Sequence, residues 1–560
     1  MRSSNGMKLG MRAAEMVALM LAAACGSGAG SGGSGGVQEE AGTTAVDANT
    51  SIDGGSTCAV GCDDPEAGTQ SEGGHSEAGG SAFNGDPSAI FVATTGSDTA
   101  PGTMAKPVLT IGKGVQLAQA AHKDLYVCDG TYAENVVIDT TPVNVHGGYD
   151  CTKGWAPVDD KPTIAPQTGV ALIVRSVSSA MTVERLQLQA ADASADGASS
   201  IAAIASSCPE LAFKNVVFQA GAGANGGQGA SPQPLTSPAN AGNPGASIGG
   251  KLCPGTNASG ACVAIAQGGH AGLLAGWGKC ATVGGVGGNG ANVLINYAGS
   301  APEKGSGGAG QTIDGVGLDG APGADGKDGT TSKSALGSFT ATGYVASNAG
   351  TNAEPGQPGG SGAGGAGGSS AIANLPEFVG CHYDYVGAGG GEGGWGGCGG
   401  GAGGGGGGGG ASLGLLAYES SVTVAGCQVN TSAGGNGGSP GKGAEGELGG
   451  AGGAGGVGEA GGGDAACMTA QVGDGQPGGA GARGGRGGNG GAGGGGPSIG
   501  IVVVSGPQPD TTTVDFNVGT GGEGGQAFSG PNAPGGMSTQ VLVLVAGDGG
   551  AVAADAAADK

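Results

Sequence analysis

Glycine in a triplet rhythm is the feature that most limits what this chain can fold into. Between Phe218 and Leu413 the sequence is dominated by glycine, and a second such block separates Val429 from Ile499. Runs such as Gly317-Leu318-Asp319-Gly320-Ala321-Pro322-Gly323 and Gly449-Gly450-Ala451-Gly452-Gly453-Ala454-Gly455 leave every third position without a side chain. That spacing suits extended left-handed helices of the polyproline-II type, with three residues per turn, packed through backbone contacts. The runs are too short and too poor in proline for a collagen triple helix. Disordered loops are the alternative, because glycine loses much backbone entropy on ordering. Apolar islands at Cys262-Val263-Ala264-Ile265 and Val293-Leu294-Ile295-Asn296-Tyr297 favour partial order.

Glycine accounts for 139 and proline for 26 of the 560 residues, while aromatic residues make up only 3 %. Ring-filled cores and aromatic nucleic-acid platforms are therefore not expected. The net charge of −24 repels phosphate backbones and argues against DNA or RNA as partner. The hydrophobic 38 % is clustered rather than diluted, which allows an ordered core beside the glycine-rich material.

The apolar clusters recur. Leu172, Met181, Val183, Leu186 and Leu188 share their spacing with Leu413, Val422, Val424, Cys427 and Val429. Ile201, Leu211, Phe213, Val216 and Phe218 follow with one residue added, and Ile499, Val514, Phe516 and Val518 form a looser fourth copy. Two short alternating strands plus turns in each copy fit stacked layers of parallel strands. An antiparallel sandwich is the other reading, since alternation does not fix strand direction.

Upstream, Ala89-Ile90-Phe91-Val92-Ala93 opens the ordered part. Ile111, Val115 and Ala118 then lie on one helical face, and strands are expected at Leu125-Tyr126-Val127, around Val136-Val137-Ile138 and at Val143-Asn144-Val145. The order F-V-x-x-x-G-S-D, P-G-T, P, T-I, then G-T-Y-x-E-x-V-x-I resembles the opening of bacterial right-handed parallel β-helix proteins of the pectate-lyase-like group. The resemblance implies an all-β right-handed parallel β-helix solenoid with a short N-terminal capping helix. The glycine-rich insertions resemble the Gly-Gly-x arrays of the PGRS (polymorphic GC-rich sequence) type.

The first residues read as an export signal: Arg2, Lys8 and Arg12 precede a short apolar run, Met16 to Ala24. Leu21-Ala22-Ala23-Ala24-Cys25 resembles the bacterial lipobox, which implies lipidation at Cys25. Cleavage after Ala22-Ala23-Ala24 with simple secretion is the alternative. The organisation expected is a signal peptide at 1–24, a flexible acidic tether at 25–87 and strand layers at 88–219. A glycine-rich insertion at 220–410, a layer at 411–431, a second insertion at 432–496, further layers at 497–546 and a tail at 547–560 follow. Export makes the remaining cysteines disulfide candidates: Cys58, Cys62, Cys128, Cys151, Cys208, Cys253, Cys262, Cys280, Cys381, Cys398, Cys427 and Cys467. Short loops would pair Cys58 with Cys62, Cys253 with Cys262 and Cys381 with Cys398, although spacing does not decide connectivity.

Chemistry is sparse. Gly32-Gly33-Ser34-Gly35-Gly36 matches a nucleophile elbow but lies in the tether, with no strand before it. Asp319, in Gly315-Val316-Gly317-Leu318-Asp319, is a calcium candidate resembling one unit of a β-roll; otherwise it is a solvated acidic turn. Equivalent outward positions carry Glu184-Arg185, Lys214-Asn215 and Ala425-Gly426, with Asp515 in the last copy. One acid per layer is the pattern of a solvated face. His75, His122, His146, His270 and His382 share no motif and read as turn or surface residues. The expectation is a non-catalytic, lipid-anchored outer-membrane or cell-surface module, structural or adhesive, without cofactor. Its partners would be the membrane, through the anchor, and extracellular polysaccharide or another surface protein. The alternatives are a polysaccharide lyase or glycosidase, and a calcium-stabilised binding module.

Overall fold

The computed structural model describes residues 83–247, 280, 282–288, 315–366, 371–372, 384–385, 388–458 and 473–545. The export signal, nearly all of the tether, both apolar islands, Cys25, Cys58, Cys62, Cys253, Cys262, Cys381 and Cys467 lie outside the described residues, as do His75, His270 and His382.

Most of the short strands gather into three sheets whose neighbours run parallel, while Ser338–Thr340 with Gly343–Val345 and Ala371–Ile372 with Asp384–Tyr385 form two separate antiparallel pairs. The first holds Ile90–Val92, Leu125–Cys128, Val145–Asp150, Met181–Glu184, Leu211–Lys214 and Val422–Ala425, with Ala156–Pro157 added antiparallel. The second holds Val136–Asp139, Leu172–Arg175, Ser200–Ser206, Ser412–Tyr418, Ser498–Val504 and Ser538–Leu544. The third holds Thr131–Tyr132, Thr163–Ile164, Gln187–Gln189, Val217–Gln219, Gln428–Asn430 and Asp515–Asn517. From Leu172 the chain visits the second, first and third sheets in that order three times. Sequence separation does not interrupt the pairing: Ile201 lies beside Leu413, and Leu211 beside Val422, across the long glycine-rich block.

Alternation along these strands puts one side chain in two inward. Val183 and Phe213 from the first sheet, Leu188 and Phe218 from the third, and Ala203, Leu415 and Ile501 from the second meet in one buried cluster. Two parts of the repeat reading need correction. Leu172 pairs with Ala203 rather than Ile201, because the longer strand Ser200–Ser206 begins earlier than its neighbour. In the fourth copy Phe516 pairs with Val429, so Asp515–Asn517 belongs to the third sheet and Asp515 lies beside Gln428, not on the Glu184–Lys214 row.

The corners are set by single residues in the left-handed region. Thr140, Ser176, Ser207, Glu419 and Ser505 each follow a second-sheet strand with φ between 47° and 62°. Arg185, Asn215 and Gly426 do the same after first-sheet strands, at 56°, 53° and 60°. Such a conformation costs a side-chain-bearing residue about 1–2 kcal/mol. Stacking offsets it, because the corner N–H donates to the layer beyond, as Ser207 to Tyr418 and Asn215 to Ala425.

The helix Ile111–Ala121 covers the N-terminal end of the stack, burying Ile111, Gly114, Val115 and Ala118. Thr110 caps it, and Glu134 accepts from the Ile111 and Gly112 N–H groups at 2.7 and 2.9 Å, placing negative charge at the helix N-terminus. Among the described residues no helix is long and apolar enough to cross a membrane.

The described glycine-rich segments are ordered by hydrogen bonds of period three. In segment 388–411 the N–H groups of Gly389, Gly390 and Gly391 donate to Ala246, Gly288 and Gln476, on three different neighbours. Glu392, Gly393 and Gly394 return to the same three, at Asn243, Gly285 and Gly479. Three residues per turn is the polyproline-II repeat, and none of these glycines has the positive φ that would reverse its hand. Segments 348–366 and 431–458 complete the surroundings, through Gly350 to Gly406 and Gly435 to Gly410. The close approach explains the composition: a Cβ on Gly391 would lie 2.0 Å from the Gly453 carbonyl oxygen, and one on Gly481 1.9 Å from that of Trp395. Only a Cα–H fits there, pointing at a carbonyl as a weak donor.

Candidate functional site

The outer face of the first sheet carries the cluster of ionisable groups. Parallel register sets Tyr126, His146, Glu184, Lys214 and Ala425 in one row, each beside the next. Asp124 precedes the strand that contains Tyr126, within reach of the same imidazole. His146 Nε2 lies 3.1 Å from Asp124 Oδ2 and Nδ1 lies 2.7 Å from Glu184 Oε1. Asn144 fixes the geometry: its Nδ2 donates to Asp124 Oδ1 at 3.0 Å and its Oδ1 accepts from Thr182 N–H at 2.9 Å. Tyr126 stacks on the imidazole, centroids 4.8 Å apart and planes 24° from parallel.

Burial pulls the His146 pKa down, but the bonds to Glu184 and Asp124 outweigh it, so the net shift is upward and the imidazolium is favoured. The bond from His146 in turn lowers the Glu184 pKa against the opposing effect of burial. His146 is only 16 % exposed, which corrects its reading as an ordinary surface or turn residue. His122 does sit at a turn, as the left-handed C-cap of the helix. No spacing in the sequence announces the cluster, because His146 and Glu184 are separated by 38 residues and meet only through lateral register. Arg185, beside Glu184, turns away from it: its Nη2 donates to the carbonyls of Gly148 and Val158, and its guanidinium lies over the Tyr149 ring at 5.5 Å.

Next to this row, Phe83, Phe91, Tyr126, Tyr149 and Trp155 form an aromatic cluster beside the Cys128–Cys151 disulfide. The expectation against ring-filled cores therefore fails locally. Aromatic residues are few, but five of them gather at this one place.

The cysteine candidates divide. Cys128 bonds Cys151 and Cys398 bonds Cys280, so the short-loop pairing of Cys398 with Cys381 is corrected. Lateral packing of segments distant in sequence, rather than loop length, brings the thiols together. Cys208 and Cys427 are free and buried; each Sγ faces backbone carbonyls of the core, of Val174 and Phe213 respectively. They serve as small apolar residues, and burial raises both thiol pKa values. The ligand atoms of Cys280, Cys398 and Glu447 lie within 4.8 Å of one another. The two sulfurs are bonded to each other and Glu447 Oε2 accepts from the Cys398 N–H at 3.0 Å, so no thiolate is presented to a metal.

Asp319 is an exposed residue whose Oδ1 accepts from Ala480 N–H at 2.7 Å. Asp325 and Asp328 treat Arg486 and Asn489 in the same way, each at 2.7 Å. In every case the following glycine N–H donates back to the same neighbour residue. Asn225 with Asn436, and Asn436 with Glu523, repeat the two-point clasp between parallel segments. The carboxylate of Asp319 is thus one member of a recurring side-chain contact to a neighbouring backbone.

What fold and site define together is a class: an all-β protein of parallel sheets carrying a hydrogen-bonded glycine-rich bundle. No family model matches the chain, and no curated protein and no solved structure matches it.

Proposed function

We propose that the three sheets are the faces of a right-handed parallel β-helix and that the protein is a non-catalytic module of the cell envelope. In this reading it is exported and lipidated at Cys25, held at the outer membrane or cell surface, and it presents a stiff acidic body as a structural or adhesive element. The observation that carries the reading is the imidazole between Asp124 and Glu184. A glycosidase needs the gap between two carboxylates for a sugar and a water. Here His146 fills that gap and engages an oxygen of each acid. The glycine-rich bundle supports the same reading, since its segments are joined to one another by backbone hydrogen bonds with Asp319, Asp325 and Asp328 tied to neighbouring N–H groups.

One observation favours a second reading, a polysaccharide lyase: Lys214 stands next to Glu184 on the same row, a cation beside an acid on an outer face. Glycan-array binding and turnover, with and without calcium, separates the two. Binding without turnover is expected. Calcium-dependent release of unsaturated sugars would replace the structural reading with the lyase.

A further inference from the structure

The two ends of the sheet stack are finished differently. At the N-terminal end the helix Ile111–Ala121 lies over the first strands. At the other end Ser538–Leu544 is the last strand of the second sheet and pairs only with Ser498–Val504 among the described residues. One layer back, Ile501 and Val503 are fully buried; their register partners Val541 and Val543 are only partly buried, as are Val514 and Phe516 beside them. The strand Ser-Thr-Gln-Val-Leu-Val-Leu has no charge and no proline, although the chain carries a net −24. Such an edge lacks the devices that ordinarily keep an open strand from pairing.

We propose that this edge is the contact surface for a second copy of the chain, joined antiparallel and end to end about a two-fold axis at Leu542. Three observations select that occupant. Leu544 C=O accepts from Ser505 N–H, so strand alternation turns the N–H and C=O groups of Val541 and Val543 off the end of the stack. In an antiparallel pair centred on Leu542, Val541 of each copy then meets Val543 of the other and exchanges both bonds. An isologous contact also brings identical charges together, which this uncharged strand permits and most of so acidic a surface does not. Residues 546–560, Ala-Gly-Asp-Gly-Gly-Ala-Val-Ala-Ala-Asp-Ala-Ala-Ala-Asp-Lys, hold a single large apolar residue and three aspartates, too little to cover Val514, Phe516, Val541 and Val543. A shallow groove lined by Ser505, Gly506, Pro507, Leu544 and Val545 continues the surface past the strand.

Light scattering on the full chain is expected to give a concentration-dependent dimer that persists in high salt. Val543→Pro removes an outward N–H without touching the ladder to Ser498–Val504, and should leave a folded monomer with its circular dichroism unchanged. Leu542→Cys should cross-link to its mate on mild oxidation, since non-hydrogen-bonded antiparallel partners bring their Cα atoms to about 4.5 Å. A dimer that survives Val543→Pro, or one that Leu542→Cys fails to cross-link, overturns the proposal. So does a full chain that stays monomeric. If that monomer dimerises once residues 546–560 are removed, the edge belongs to the tail.

Discussion

Phe213 in the first sheet is held by side chains, packed edge-on against Phe218 at 5.1 Å inside a cluster drawn from all three sheets. Gly391 in segment 388–411 is held by backbone alone, with its N–H on Gln476 and its Cα against the Gly453 carbonyl. The sheets gain stability from burying apolar area and tolerate a change of shape with local repacking. The bundle buries little apolar surface and depends on many hydrogen bonds with a fixed interval, each modest on its own. Two kinds of order therefore share one chain, one specified by which side chains are present and the other by where side chains are missing.

Each region has a disulfide, and the two bonds provide the largest contrast. Cys280–Cys398 closes 118 residues and Cys128–Cys151 closes 23. On loop-closure entropy, replacing the first pair by serine should cost nearly 5 kcal/mol and the second slightly more than 3 kcal/mol, read from denaturant midpoints. Equal costs would mean that the bundle is restrained in the unfolded chain as well. Phe213→Ala should remove about 3–5 kcal/mol and weaken protection across all three sheets in hydrogen exchange. Gly391→Ala, a gain of one methyl, should cost about 1–3 kcal/mol or more, with lost protection confined to segments around 388–411. Unaltered exchange in that variant would break the comparison, since the bundle would then not be close-packed. Asp325→Ala should cost about 0.5–1.5 kcal/mol while Asp325→Asn costs little, because only an acceptor for the Arg486 N–H is needed.

An effect of similar size, but dependent on pH, is expected at His146. Its pKa is raised in the folded state, so its contribution is fully present below the unfolded value near 6.5 and fades as pH rises through the higher folded value. Glu184, with a lowered pKa, contributes above its unfolded value and loses that contribution as pH falls through the folded one. Partial exposure limits the combined effect to about 1 kcal/mol. His146→Gln should flatten the fall in melting temperature that the parent chain shows as pH rises above about 6.5. A parent chain with no slope there would show that the clamp carries no net charge energy.

Local pattern made the strands, the helix face and the polyproline-II rhythm readable, since each depends on residues close in sequence. Ile111, Val115 and Ala118 face inward as their spacing implies. Lateral register was not readable, because it depends on how layers end rather than on how each alternates. Spacing alone thus aligns Leu172 two residues from its true partner and places Phe516 in the wrong sheet. The same blindness hid the His146 clamp: three ionisable residues from three layers have no signature until the layers are stacked. Which glycine-rich segments lie side by side is equally hidden, since Gly391 and Gln476 become neighbours only when whole segments pack together.

The period of three gives the bundle something like a reading frame. Deleting one residue from segment 388–411 would turn every later N–H by a third of a turn, toward the wrong neighbour, whereas deleting three would shorten the segment and keep its phase. Among the described residues there is one such slip. Gly229 and Ala239 donate to Ser439 and Leu448, ten residues on one segment against nine on the other, and the extra residue falls in the mostly exposed, proline-containing stretch 230–238. The excursions that build the bundle leave after third-sheet strands and return before second-sheet strands, at one corner of the stack. Lineages of such a chain would be expected to differ there by whole triplets, lengthening or trimming the bundle while the sheets beneath keep their count.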